Sequence, residues 1–167
     1  MLRKSFAFIG TLIALIFMAG LQTRSSAQSA ASSSWATSNS VTISIYGTAL
    51  FDDTGKLSGS IGVSGSGFIA KGTVSSLSVN IDWFSGTYTA TLTGSGNYYS
   101  VVKNVVQPKS KKAVTATLVL SILADGTSTE GISLVDSSGN VVYSTGTGTD
   151  GSLSLWGVSK GSISISL

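Results

Sequence analysis

The sequence predicts an all-β protein: an antiparallel β-sandwich of about nine or ten short strands, with a small β-barrel as the alternative. Three observations lead there. Apolar and hydroxyl-bearing residues alternate with period two through most of the chain beyond residue 40, the spacing that puts one face of a strand in a core and the other in water. Turn signals built on Asp, Asn, Ser and Gly recur at the close intervals of short strands. No stretch combines helical periodicity with helix caps.

The firmest element is the stretch Leu77 to Thr93, which reads as a hairpin around Ser85-Gly86. A two-residue loop there pairs Trp83 with Tyr88, Ile81 with Ala90 and Val79 with Leu92 on one face, and Asp82 with Thr89 on the other. Slipping the register by one residue would set apolar side chains against threonines, so Trp83 is expected in the core.

Upstream, Arg3 and Lys4 precede an apolar run from Phe6 to Leu21 and a small polar region, the order of a secretory signal peptide. The run is shorter than the roughly 20 residues that span a bilayer, and Ser25-Ser26-Ala27 places cleavage after Ala27. Residues 1–27 are therefore expected to be a leader and the protein to be secreted, extracellular or at a cell surface, with the periplasm an alternative. Residues 28–40, rich in Ser and Ala, lack clear alternation and are expected to be a flexible lead-in. A single domain is expected over 41–167.

Within that domain, Val41 to Leu50 forms the first expected strand, and Asp52 to Gly55 a type I turn into Leu57 to Val63. Glycines at 59, 62, 65 and 67 weaken the next region before Phe68 to Ser75. Beyond the central hairpin, Gly94 to Asn97 reads as a turn into Tyr98 to Val106, and 107–112 as a lysine-rich loop. Ala113 to Ala124 is an interior strand, apolar on both faces. Ile132 to Asp136 and Val141 to Thr145 make a further hairpin, and Leu153 and Leu155 precede an expected turn at Gly157. The segment from Leu134 to Leu167, with Asp-x-x-Gly-Asn-Val followed by Leu-x-Leu and Gly-x-Ile-x-Ile, loosely resembles the closing strands of secreted immunoglobulin-like modules. That resemblance implies an immunoglobulin-like or jelly-roll-like sandwich.

Composition narrows function further. Beyond the leader, seven lysines balance seven acids, so the field that attracts nucleic acid is missing, and no nucleic-acid partner is expected. The chain contains no His and no Cys, which removes the common general base, the thiolate nucleophile and the usual zinc ligands. A pair of carboxylates could still hydrolyse a glycoside. Five of the seven acids, however, sit in turns or precede glycine, where Asp bonds its own backbone, and only Asp82 and Glu130 lack that explanation. Asp82 is expected on the solvent face of the hairpin and Glu130 in a 125–131 loop. The protein is accordingly expected not to be an enzyme and to need no cofactor or metal. Asp52 with Asp53, and Asp125 with Glu130, are the positions where calcium would be sought.

The side chains left for binding are aromatic. Alternation turns Tyr46, Phe84 and Trp156 away from the core, where they could stack on a sugar ring or join a protein interface. Three functional classes follow. The first is a non-enzymatic structural or adhesive module, self-assembling as a homo-oligomer or with a surface or matrix partner, for which edge-to-edge strand pairing is the expected route. The second is a carbohydrate-binding module using the exposed aromatics. The third is a small outer-membrane barrel, disfavoured because many of the expected strands are shorter than the roughly 9–11 residues needed to span. No integral membrane segment is expected once the leader is removed.

Overall fold

The computed structural model describes residues 28–146 and 153–167; the expected leader lies outside the described residues. Ten antiparallel strands follow one another: β1 (Ser29–Ser38), β2 (Val41–Phe51), β3 (Leu57–Gly65), β4 (Phe68–Asp82), β5 (Thr87–Val102), β6 (Val105–Val106), β7 (Lys112–Ile122), β8 (Ser128–Asp136), β9 (Val141–Ser144) and β10 (Trp156–Ser166). All belong to one sheet, in the order β10-β1-β2-β3-β4-β5-β7-β8-β9, with β6 folded back on β5. Additional pairing of β10 with β8 closes the ring. The opposed layers of a sandwich are thus opposite walls of a single curled sheet, the barrel form of the predicted all-β architecture. No helix among the described residues is long and apolar enough to cross a membrane.

Alternation sorts the side chains cleanly. Ile43 and Ile45 of β2, Ile61 and Val63 of β3, Leu92 of β5, Leu118 and Leu120 of β7 and Ile132 and Leu134 of β8 fill the interior and are fully buried. Gly47 of β2 is also required there, because a Cβ on it would lie 2.5 Å from Cδ2 of Leu118. One end of the interior is plugged by rings, with Phe68 stacked 5.7 Å from Tyr98 and tilted against Tyr143 at 4.4 Å. The outward positions are mostly hydroxyls, among them Thr89, Thr91 and Thr93 of β5 beside Asn80, Ser78 and Ser76 of β4.

Several expectations change. Residues 29–38 are not a flexible lead-in but β1, paired along its length with both β2 and β10. Its inward residues are Ala30, Ser32, Ser34 and Ala36, all buried. Their small size conceals the alternation, which only the closed wall makes visible. A two-residue turn with Asn39 and Ser40 both in the left-handed region (φ 47° and 65°) carries β1 into β2.

The central hairpin keeps its facing but shifts by two residues: Ile81 pairs with Tyr88, Val79 with Ala90 and Leu77 with Leu92. Asp82 accounts for the shift. Its carboxylate accepts hydrogen bonds from the Phe84 amide (3.0 Å) and the Ser85 hydroxyl (2.7 Å), while its carbonyl accepts from the Gly86 amide (2.8 Å), closing a four-residue turn over 83–86. Trp83 is thereby lifted out of the wall and is 80% exposed, not buried. Gly94 to Asn97 is not a turn either, since β5 runs straight through it. A Cβ on Gly94 would fall 2.3 Å from the Thr73 carbonyl oxygen and one on Gly96 2.2 Å from that of Lys71, so these glycines permit close strand approach. Likewise β10 continues through Gly157.

Candidate functional site

Among the described residues, Glu130 is the one acidic side chain held inside the ring. It lies near the start of β8 instead of in a loop, shares the inward facing of Ile132 and Leu134, and has no solvent exposure. Its backbone partner across the closure is Trp156 of β10, one of only two residue pairs joining β10 to β8. From there the carboxyl reaches the inward hydroxyls of β1: Ser32 Oγ donates to Oε2 at 2.7 Å and Ser34 Oγ donates to Oε1. The two serine oxygens are themselves 3.0 Å apart.

Both serine hydroxyls donate to the Glu130 carboxyl, and the Ser32–Ser34 contact completes a ring of three oxygen–oxygen contacts. Burial raises the carboxyl above its ordinary range against the opposing pull of the Ser34 and Ser32 hydroxyls. The carboxyl, enclosed on all sides, ties β8 to β1 beneath β10.

The outer side of the same seam is sewn by Thr145. Its amide donates to the Ile132 carbonyl at 3.0 Å, its hydroxyl accepts from the Ile132 amide at 3.1 Å, and its carbonyl accepts from Trp156 Nε1 at 2.8 Å. Trp156 is thus half-buried, packed against the core and hydrogen-bonded.

The three aromatic candidates do not converge. Tyr46 on β2 lies flat across Gly62 of β3, where a Cβ would be 2.2 Å from the tyrosine Cζ, so one face of its ring is covered. Phe84 stands at the 83–86 turn, fully exposed beside Trp83. Trp156 serves the seam. The adjacent Trp83 and Phe84 are the most exposed large apolar side chains among the described residues, and a two-residue loop at 85–86 would have hidden Trp83.

Asp52, Asp125 and Asp136 behave as turn residues. Asp52 accepts from the Thr54 hydroxyl (2.6 Å) and the amides of Thr54 and Lys56 (both 2.9 Å). The Asp125 carboxylate takes the Thr127 amide (2.8 Å), and that of Asp136 the amides of Ser138 and Asn140 (both 2.9 Å). These bonds hold each carboxyl below its usual range: foremost the Thr54 hydroxyl for Asp52, the Ser85 hydroxyl for Asp82, the Thr127 amide for Asp125 and the Asn140 amide for Asp136. Asp125 and Glu130 do not share a loop, since Glu130 faces the interior. Among the described residues no three acidic side chains gather as a metal ion would require.

No protein-family model, no curated protein and no solved structure matches the chain.

Proposed function

We propose that the protein is a secreted, non-enzymatic structural or adhesive module that self-assembles at a cell surface or in an extracellular matrix. The observation that carries this reading is the filled interior. Leu118 and Leu92 reach across to Gly47, and Phe68, Tyr98 and Tyr143 plug one end, so the ring encloses side chains where a carrier would enclose a ligand. Function is left to the outer surface. That surface is built from neutral hydroxyls over an apolar core, the reverse of the apolar-out arrangement a membrane-spanning barrel needs.

Closure also changes the expected mode of assembly. Strands β1, β2, β3, β5, β7 and β8 have neighbours on both sides over most of their length, whereas β6, β9, most of β10 and the Val74–Asp82 half of β4, which pairs with β5 alone, carry a free edge among the described residues. Edge-to-edge pairing is therefore confined to short or serine-rich stretches. Sedimentation of the mature protein over a wide concentration range tests the reading: average mass should rise with concentration, and a monomer under every condition would defeat it.

A carbohydrate-binding role is the second reading, favoured by the neighbouring exposed rings of Trp83 and Phe84. Retention on an insoluble polysaccharide that is lost in Phe84→Ser would select it.

A further inference from the structure

Net neutrality conceals a strong separation of charge. In an up-and-down ring, alternate turns gather at opposite ends. At one end lie the turns after β2, β4 and β7, with Asp52, Asp53, Asp82 and Asp125 against the single lysine Lys56. At the other lie the β5–β6 turn, the 107–111 segment and the β8–β9 turn, with Lys103, Lys109, Lys111 and Lys112 against Asp136 as the single acid among the described residues. Each end also exposes apolar side chains. The acidic end presents Trp83 and Phe84, with Leu123 alongside; the basic end presents Val102, Val105 and Val106.

Both surfaces are held in shape. At the acidic end Asp82 fixes the 83–86 turn, and a Cβ on Gly86 would sit 3.1 Å from that of Ala124, which sets the aromatic tip against the turn carrying Leu123 and Asp125. At the basic end Ser110 Oγ accepts from the Ser100 amide and donates to the Gln107 carbonyl, both at 2.7 Å, pinning the lysine loop onto β5. Rigid surfaces lose little freedom on docking.

From this complementarity we infer that the partner of each end is the opposite end of a second copy, so that molecules stack head to tail with Trp83 and Phe84 seated on the valines of the β5–β6 hairpin and the flanking carboxylates facing Lys103, Lys109 and Lys111. Such a contact joins two different surfaces and does not close on itself, so it grows a filament. The aromatic pair supplies the anchor and the charges set the direction of approach. This inference rests on the self-assembly reading above and specifies its geometry.

Two variants test it. Trp83→Ser with Phe84→Ser blunts the acidic end, and Lys109→Glu with Lys111→Glu reverses the basic end; all four side chains are exposed, so thermal melting should match the wild type. Wild-type mass should climb without plateau and fall as salt rises. Each variant alone should associate at least about thirtyfold more weakly, the loss expected when a hot-spot anchor is removed. Mixed one to one, the variants should form a dimer and stop there, since one good acidic end and one good basic end remain. Assembly that persists in both variants, resists salt, or fails to be restored as a dimer on mixing overturns head-to-tail stacking while leaving self-assembly standing. A wild-type protein that stays monomeric overturns both.

Discussion

The closure seam and the 83–86 tip invert the usual placement of their residues. At the seam a carboxyl, the side chain least suited to a core, is fully buried; at the tip two large aromatic rings, the side chains best suited to a core, stand in water. The difference lies in what each backbone does. At the seam β8 continues as a regular strand, so strict alternation drives Glu130 inward, and the small inward serines of β1 leave both the room and the donors to receive it. At the tip the strand stops at Asp82, whose hydrogen bonds turn the chain before Trp83 can take an inward position. A buried acid here marks closure of the ring, and the exposed rings mark the turn at which the hairpin ends.

The comparison breaks first at Glu130→Ala. That change opens a cavity and leaves two buried hydroxyls without their partner, and should destabilise by about 2–5 kcal/mol in denaturant melts. A loss no greater than a surface substitution would mean the seam is not held there.

Glu130→Gln sharpens the same point. An amide can accept from one serine and donate to the other without carrying charge, so in acid, where the carboxyl is protonated, the variant should melt like the wild type. Because the folded carboxyl is raised, its stabilising contribution is complete below the ordinary carboxylate range and is lost as pH rises through the folded value. Over that window the wild type should weaken by up to about 1.4 kcal/mol per pH unit while Glu130→Gln does not. Among the described residues no cation faces the cluster: β1 carries no titratable side chain, Lys112 lies at the opposite end of β7, Asp136 at the far end of β8, and Lys160 of β10 pairs opposite the outward Trp35. The turn acids Asp52, Asp82, Asp125 and Asp136 work in the other sense, their lowered values adding stability that disappears as pH falls. Parallel pH profiles for wild type and variant would show that Glu130 is ionised in the fold.

Ser32→Ala removes one donor and one acceptor from the ring and should cost about 1–3 kcal/mol. The smallest effect belongs to the tip. Trp83→Ala should alter stability by less than about 0.5 kcal/mol while weakening self-association. A loss comparable to that of Glu130→Ala would place Trp83 in the core and erase the contrast.

Much of this was legible in the residue order. Period-two alternation identified the strands around Ile43, Leu92, Leu118 and Ile132 and the facing of both central strands, because side-chain direction in a strand is a local property. Asp136 with Gly139 marked the β8–β9 turn for the same reason: the carboxylate bonds amides within four residues. What lay beyond local reach needed contacts distant in sequence. Ala30, Ser32, Ser34 and Ala36 become a wall only when β2 and β10 pair with them, and Gly94 and Gly96 are explained only by the backbone of β4 pressing against β5. Whether the strands would stack as two sheets or close as one was set by β10 meeting both β1 and β8, a pairing of the chain's far ends that no local pattern encodes. Tertiary structure alone decided that Glu130 would be buried with its carboxyl raised and that the charges would part to opposite ends, since both depend on how the ring is wound, while alternation and turn chemistry depend only on neighbours along the chain.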